Sequence, residues 1–181
     1  MFIFLELKTG NKISSNKGDK NVALSNTTLN ENYSAIAVIS TNPNQDPFFF
    51  NLRANSNTQY DFAEFIFVAI RFEYLLPGDI LIMDNATIHS GRDVLQDIHE
   101  VLQRFNIKVK LLPAYSPELS PIELVFNMIK NHIRNNRTNT SLKEAILDGI
   151  ATITTEKVQS CYEHVIDTFI EHPLNIPNNF M

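Results

Sequence analysis

An α/β fold with a mixed sheet flanked by helices follows from three features of the sequence. Short β-branched and aromatic runs separated by Asn-rich turns come first, which is strand-and-turn chemistry. From residue 57 onward the apolar pattern changes to helical stripes that alternate with two short apolar runs. With 181 residues, 44% of them apolar and 13 of them Phe, the chain carries enough apolar side chain for one domain with a real core.

Phe2–Leu7 reads as the first strand, with Thr9-Gly10-Asn11 as its turn. Val22–Leu29, Tyr33–Ser40 and Phe48–Leu52 read as further strands, joined by an Asn30-Glu31-Asn32 turn and a longer loop over 42–47. Asn57–Leu76 reads as a helix with Phe62, Phe65, Ile66, Ala69, Ile70 and Phe72 on its apolar stripe, and Pro77-Gly78 ends it. Asp79–Met83 is the next strand. Asp93–Phe105 is a second amphipathic helix, with Val94, Leu95, Ile98, Val101 and Leu102 on one side and Asn106 as its C-terminal turn residue. A short strand over Lys108–Leu112 and a proline-bounded loop over Pro113–Leu119 follow. Helices are expected over Pro121–Arg134, Leu142–Thr154 and Val158–Phe169, before a Pro/Asn-rich tail. An early meander followed by alternating helices and strands makes the sheet mixed.

Charge is distributed unevenly. The formal net charge is −5, yet residues 1–143 hold 14 basic and 14 acidic side chains. Residues 144–181 hold one lysine and six acids, so the whole imbalance is C-terminal. From Leu124 to Lys143 there are four cations, Lys130, Arg134, Arg137 and Lys143, and no acid. Lys8, Lys12, Lys17 and Lys20 form a second basic cluster. Such runs are often plain solvated faces; beside candidate acids they also suit a phosphate backbone. The single cysteine, Cys161, excludes an intramolecular disulfide and fits a reducing compartment. No apolar run approaches the roughly 20 residues of a membrane helix. The apolar start, Met1-Phe-Ile-Phe-Leu5, lacks a basic leader and a small-residue cleavage site and reads as a strand rather than a signal peptide. A hydrolase built on a covalent nucleophile finds no Gly-x-Ser-x-Gly string and no motif around Cys161.

Two carboxylates stand out. Asp84 follows the apolar run Asp79-Ile-Leu-Ile-Met83 and so sits at a strand's C-terminal end, where open α/β sheets gather functional groups. Asn85 and His89 follow it closely. Asp84-Asn85 is equally ordinary turn chemistry, and His89 equally a structural hydrogen-bonder. Glu123 lies one turn into the helix opened by Ser120-Pro121. Ser120-Pro-Ile-Glu123 matches a capping box with Ser120 as N-cap, Pro121 at the first helical position and Glu123 at the third. A capping carboxylate turned back onto the backbone is less available to a metal, so the two roles compete for one side chain. Asn127, Lys130 and Arg134 lie 4, 7 and 11 positions after Glu123, on one helical face. Leu124, Val125, Met128, Ile129 and Ile133 take the rest of the helix and are expected in the core.

Asp84-Asn-Ala-Thr-Ile-His89, then Leu112-Pro-Ala-Tyr-Ser-Pro-Glu-Leu-Ser-Pro-Ile-Glu123, then Asn127 and Lys130, resembles the catalytic domain of mariner/Tc-type transposases, members of the DDE endonuclease superfamily, and of their bacterial insertion-sequence relatives. Ser120 departs from that pattern by replacing Asn, and both are good N-caps. Lys17-Gly18, the strands after it and the Tyr60–Phe65 helix fall where the family has similar elements, so the resemblance covers most of residues 1–150 as the catalytic core, with residues 151–181 left as a C-terminal helix and acidic tail.

The resemblance implies a ribonuclease H-like fold with a mixed five-stranded sheet. It also implies a triad of carboxylates holding two Mg²⁺ or Mn²⁺ ions for cleavage and transfer of DNA strands. Carried over by position, Asp84 is the second acid and Glu123 the third, 39 positions apart. The first acid belongs on the first strand. There the natural alignment puts Leu5 in its place, and a slip of one residue would put Glu6 there as catalytic and metal-binding residue. Asn85, His89, Asn127, Lys130 and Arg134 are then expected on the DNA. The implied partners are DNA (transposon ends and target) and a second copy or a full-length transposase, with no membrane. The implied location is intracellular: the nucleus in a eukaryote, the cytoplasm in a bacterium. Complete family members carry helix-turn-helix domains ahead of the core, whereas this sequence starts at the first core strand and reads as a truncated, decayed or split member. The alternative function is a catalytically inactive relic that binds DNA or a full-length transposase.

Overall fold

A computed structural model describes residues 2–9, 32–84, 92–113, 116–136 and 141–171. The strand expected over Val22–Leu29 lies outside the described residues, as do Asn85 and His89. The elements are β1 (Phe2–Thr9), β2 (Tyr33–Ser40), β3 (Phe48–Arg53), α1 (Gln59–Arg71), β4 (Ile80–Met83), α2 (Arg92–Arg104), β5 (Lys108–Leu111), α3 (Pro121–Asn136), α4 (Leu142–Ala151) and α5 (Thr155–Glu171). A single 3-10 turn, Pro117–Leu119, precedes α3.

The strands are hydrogen-bonded in the order β3-β2-β1-β4-β5. β1–β2 and β2–β3 are antiparallel; β1–β4 and β4–β5 are parallel, so the sheet is mixed as expected. Two apolar layers cover its faces. Ile36 and Val38 of β2 and Leu81 and Met83 of β4 pack under Phe62, Phe65, Ile66 and Ala69 of α1 and Ile98 and Leu102 of α2. On the other face Ala35, Ala37 and Ile39 meet Ile122, Val125, Phe126, Ile129 and Ile133 of α3, Ala145 and Ile146 of α4, and Val158, Cys161 and Tyr162 of α5. Alternation of side chains along a strand makes this two-faced arrangement possible. Burying each large apolar side chain contributes roughly 1.5–3 kcal/mol.

Local chemistry sets the helix ends. The helix expected from Asn57 begins at Gln59, because Thr58 caps it. Asp61 N–H donates to Thr58 Oγ1 at 3.3 Å and Thr58 N–H donates back to Asp61 Oδ2 at 2.7 Å. It stops at Arg71 rather than Leu76, since Glu73 takes a left-handed φ of 57°. The N–H groups of Tyr74 and Leu75 then turn back to the Ala69 carbonyl, at 2.8 and 3.1 Å. Phe72, expected on the apolar stripe, is 70% exposed at this cap. α4 and α3 approach closely at Gly149, where an added Cβ would sit 3.2 Å from Ile129 Cγ2.

Candidate metal and nucleic-acid site

Asp84 sits just past β4, the strand between β1 and β5, and is half-buried. Leu112 N–H donates to the Met83 carbonyl at 2.7 Å, which ties the exits of the two parallel strands together beside it. Along β4, Leu81 and Met83 belong to the α1/α2 face, while Ile82 packs against the α3 layer. The alternation therefore carries Asp84 to the α3 face.

Glu123 reaches the same place from α3, whose buried residues Ile122, Val125, Phe126, Ile129 and Ile133 seat the helix on that face. It too is half-buried. Its pKa is raised above the ordinary glutamate value. Burial is the main cause, the negative charge of Asp84 adds to it, and the ammonium of Lys130 opposes it. One carboxylate thus feels both the second acid and a cation one helical stripe further on. Asp84, at the end of β4, and Glu123 and Lys130, on α3, lie on one side of the sheet, within reach of each other's charge. Asn127 and Arg134 continue that stripe and are exposed, with Arg134 Nη1 donating to Asn131 Oδ1 at 3.4 Å.

The capping box expected at α3 does not form. Ser120 is 2% exposed, and among the described residues its hydroxyl has no hydrogen-bond partner. Its N–H donates instead to the Pro117 carbonyl at 3.0 Å, closing the 3-10 turn, and Glu123 N–H donates to the Ser120 carbonyl at 3.1 Å. With the Ser120 N–H taken, Glu123 is not turned back onto the helix end. The competition posed by the sequence is thus removed at its source, since the capping box that would hold the Glu123 carboxylate is absent.

The register of β1 decides the first-strand position. Glu6 pairs with Ile36 and Leu5 with Ala37. Paired residues share a face. Ile36 is in the α1/α2 layer and Ala37 in the α3 layer. Position 5, a leucine, therefore stands on the face of Asp84 and α3, and position 6 on the opposite face. Sequence inspection could frame that question but not answer it, because the answer lies in pairing with a strand about 30 residues away. Among the described residues no three His, Cys, Asp or Glu side chains come together as a metal-binding group. Cys161 is buried in the α3–α5 layer and burial pushes its thiol pKa up, which removes it as a nucleophile. No helix among the described residues is long and apolar enough to cross a membrane.

The chain's residues 4–146 match the family model of the DDE superfamily endonucleases. No curated protein sequence matches it. Among solved structures it is similar to the Mos1 transposase paired-end complex with left transposon end, with a TM-score of 0.64, 14% identity, and 93% of this chain and 53% of that chain covered. The Mos1 strand transfer complex gives a TM-score of 0.65 at 14% identity, with 93% and 52% covered. The Mos1 mariner paired-end complex with Mn gives 0.64 at 14% identity, with 93% and 53% covered. The chain thus spans about half the length of these transposases. A match over most of its residues, with the two acids of its motifs brought to one face, means that the chain belongs to the DDE superfamily endonucleases and carries the fold of the mariner transposase Mos1.

Proposed function

We propose that this chain is a metal-dependent DNA phosphoryl-transfer domain of the transposase type, in which Asp84 and Glu123 hold a divalent cation. The observation that carries the reading is the placement of these two half-buried carboxylates on one face of the sheet, one delivered by a strand end and one by a helix seated on that face. Burial and a like charge both disfavour ionised Glu123, and a divalent cation between the two acids would relieve both. Mg²⁺ in particular binds through one or two carboxylates together with substrate phosphates, so this donor pair fits it, and Mn²⁺ suits the same ligands. When bound, such an ion supplies Lewis-acid stabilisation at phosphorus. Lys130, Asn127 and Arg134 on α3 support the DNA backbone alongside, and Asn85 and His89 belong to the segment that leaves Asp84. We read residues 1–150 as the catalytic core and 151–181 as a C-terminal helix and acidic tail, the helix α5 buttressing the core through Val158, Cys161 and Tyr162.

A specific observation favours a second reading, a DNA-binding relative with lost catalysis: position 5, a leucine, pairs in register with Ala37 of the α3 layer. One experiment separates them. Nicking of supercoiled plasmid is measured across Mg²⁺ and Mn²⁺ concentrations for the wild type, Asp84→Ala and Leu5→Asp. The first reading expects weak metal-dependent nicking that Asp84→Ala abolishes and Leu5→Asp raises at least tenfold. DNA binding without nicking at any metal concentration supports the second reading and overturns the first.

A further inference from the structure

The sheet face that carries Asp84 is covered unevenly. Over β2 and β3 it lies under α3, α4 and α5, which bury Ala35, Ala37, Ile39 and Phe48. Over β4 and β5 the cover thins: Ile80 is 41% exposed, and Lys108 and Lys110 are exposed. The parallel register pairs Ile80 with Lys108 and Ile82 with Lys110. Ile82 packs against the α3 layer, so both lysines stand on the face of Asp84. At about 3.3 Å per residue, Lys110 lies about 7 Å and Lys108 about 13 Å back along the strands from the level of Asp84.

Lys108 N–H donates to the Asp79 carbonyl at 2.9 Å, but among the described residues neither lysine's ammonium group is held by a carboxylate or a hydrogen bond. Beside the outer edge of β5 lies a groove of about 330 Å³ lined by His99, Gln103, Asn106, Lys108 and Lys110 together with Ile107 and Val109, and by no acid. Its corner is pre-set. Asn106 holds a left-handed φ of 54°, and its carbonyl accepts from Gly78 N–H at 3.0 Å. The two lysines are therefore in line with the acids on their face, and the groove on the α2 side of the same edge adds hydrogen-bond donors beside them.

We propose that the β5 edge is a second DNA-backbone rail: Lys108 and Lys110, with the α2 groove beside them, lead a phosphodiester strand towards Asp84 and Glu123 from the side opposite the α3 stripe of Lys130 and Arg134. Phosphates rise about 3.4 Å each along the helix axis and wind around it, so neighbours on one strand are roughly 6–7 Å apart and two lysines about 7 Å apart match adjacent phosphates. This rail rests on the proposed DNA-processing function but not on catalysis, and it makes no base contacts, so it adds affinity without sequence preference.

The test is the salt dependence of binding to a fluorescent 20-base-pair duplex, without metal. It compares the wild type, K108Q/K110Q, K108R/K110R, K130Q/R134Q and a control pair of exposed cations elsewhere, R71Q/K157Q. Each lost phosphate contact flattens the plot of log affinity against log salt by about 0.9, so K108Q/K110Q is expected to lower the slope by about 1.8, K108R/K110R to keep it, and the control pair to leave it unchanged. If K130Q/R134Q flattens the slope and K108Q/K110Q does not, the two lysines serve only to shield a sheet edge and the rail is wrong while the function stands. An equal loss in the control pair shows diffuse charge attraction and also overturns the rail. A wild type that does not bind the duplex overturns both the rail and the function.

Discussion

Two helices of this chain open on the same four-residue pattern and end with opposite electrostatics. At α4, Ser141 and Glu144 form a complete capping box: Glu144 N–H donates to Ser141 Oγ at 3.2 Å, and Ser141 N–H donates to Glu144 Oε2 at 2.9 Å. These hydrogen bonds hold the Glu144 carboxyl below its ordinary pKa. At α3, Ser120 and Glu123 occupy the matching positions, yet the Ser120 N–H is spent on Pro117 and the Glu123 carboxyl is pushed up by burial and by Asp84. The contrast shows that a capping box is an offer made by local sequence. What precedes the helix and what the first turn packs against decide whether it is accepted. Ser141 is exposed and free to serve its helix, whereas Ser120 is buried behind a 3-10 turn. The carboxylate that loses its cap becomes available to a ligand.

The largest test of this contrast removes the packing that forces it. Phe126 is fully buried and meets Phe48 edge-on, with ring centroids 6.1 Å apart. Phe126→Ala should cost about 3–5 kcal/mol in urea unfolding, because it leaves a cavity under the helix that presents Glu123. A loss under about 1 kcal/mol would show that α3 is not seated by this core.

A middle-sized effect separates the two serines. Ser141→Ala removes a working cap and should lower stability by about 1 kcal/mol. Ser120→Ala removes a buried hydroxyl with no partner among the described residues and should fall within about 0.5 kcal/mol of the wild type or stabilise it. Equal losses in the two variants would mean that Ser120 caps α3 after all.

The smallest effect is in the pH dependence. A raised folded pKa means that the folded state binds the extra proton, so stability falls as pH rises from the ordinary value of 4.5 through the folded value of Glu123. Glu123→Gln should abolish that fall and leave the metal-free variant more stable than the wild type at neutral pH. Glu144 carries the reverse sign: its contribution is present above 4.5 and is lost as pH falls through its lowered folded value. Glu144→Gln should therefore lose stability at neutral pH and converge with the wild type in acid. Urea midpoints between pH 3.5 and 8 read both, and matching slopes for the two variants would remove the distinction.

Much of the fold was legible in the sequence because it rests on local periodicity. The stripes Phe62-Phe65-Ile66-Ala69 and Ile98-Leu102 predicted helices whose apolar sides are buried, and Asp79–Met83 predicted the strand that ends at Asp84. Helix ends were less legible: the span expected to Leu76 stops at Arg71 because Glu73 adopts a left-handed conformation without glycine. In the candidate site, Asp84, Glu123 and the Asn127-Lys130-Arg134 stripe were legible from spacing and from their motif strings. Lys108 and Lys110 were not. They lie on the Asp84 face only because of their pairing with Ile80 and Ile82.

By itself, then, the sequence determined the kinds and order of the elements and the two acids that its motifs single out, since each of these is written within a few consecutive residues. Tertiary structure alone decided three things: that the Ser120 N–H closes a 3-10 turn instead of serving α3, that Asp84 and α3 share a face of the sheet, and that position 5 rather than position 6 of β1 pairs in register with the α3 layer. The physical reason is common to all three. Strand register and helix seating depend on partners tens of residues away, and with side chains alternating at a period of two, one step of register reverses which residue meets the site.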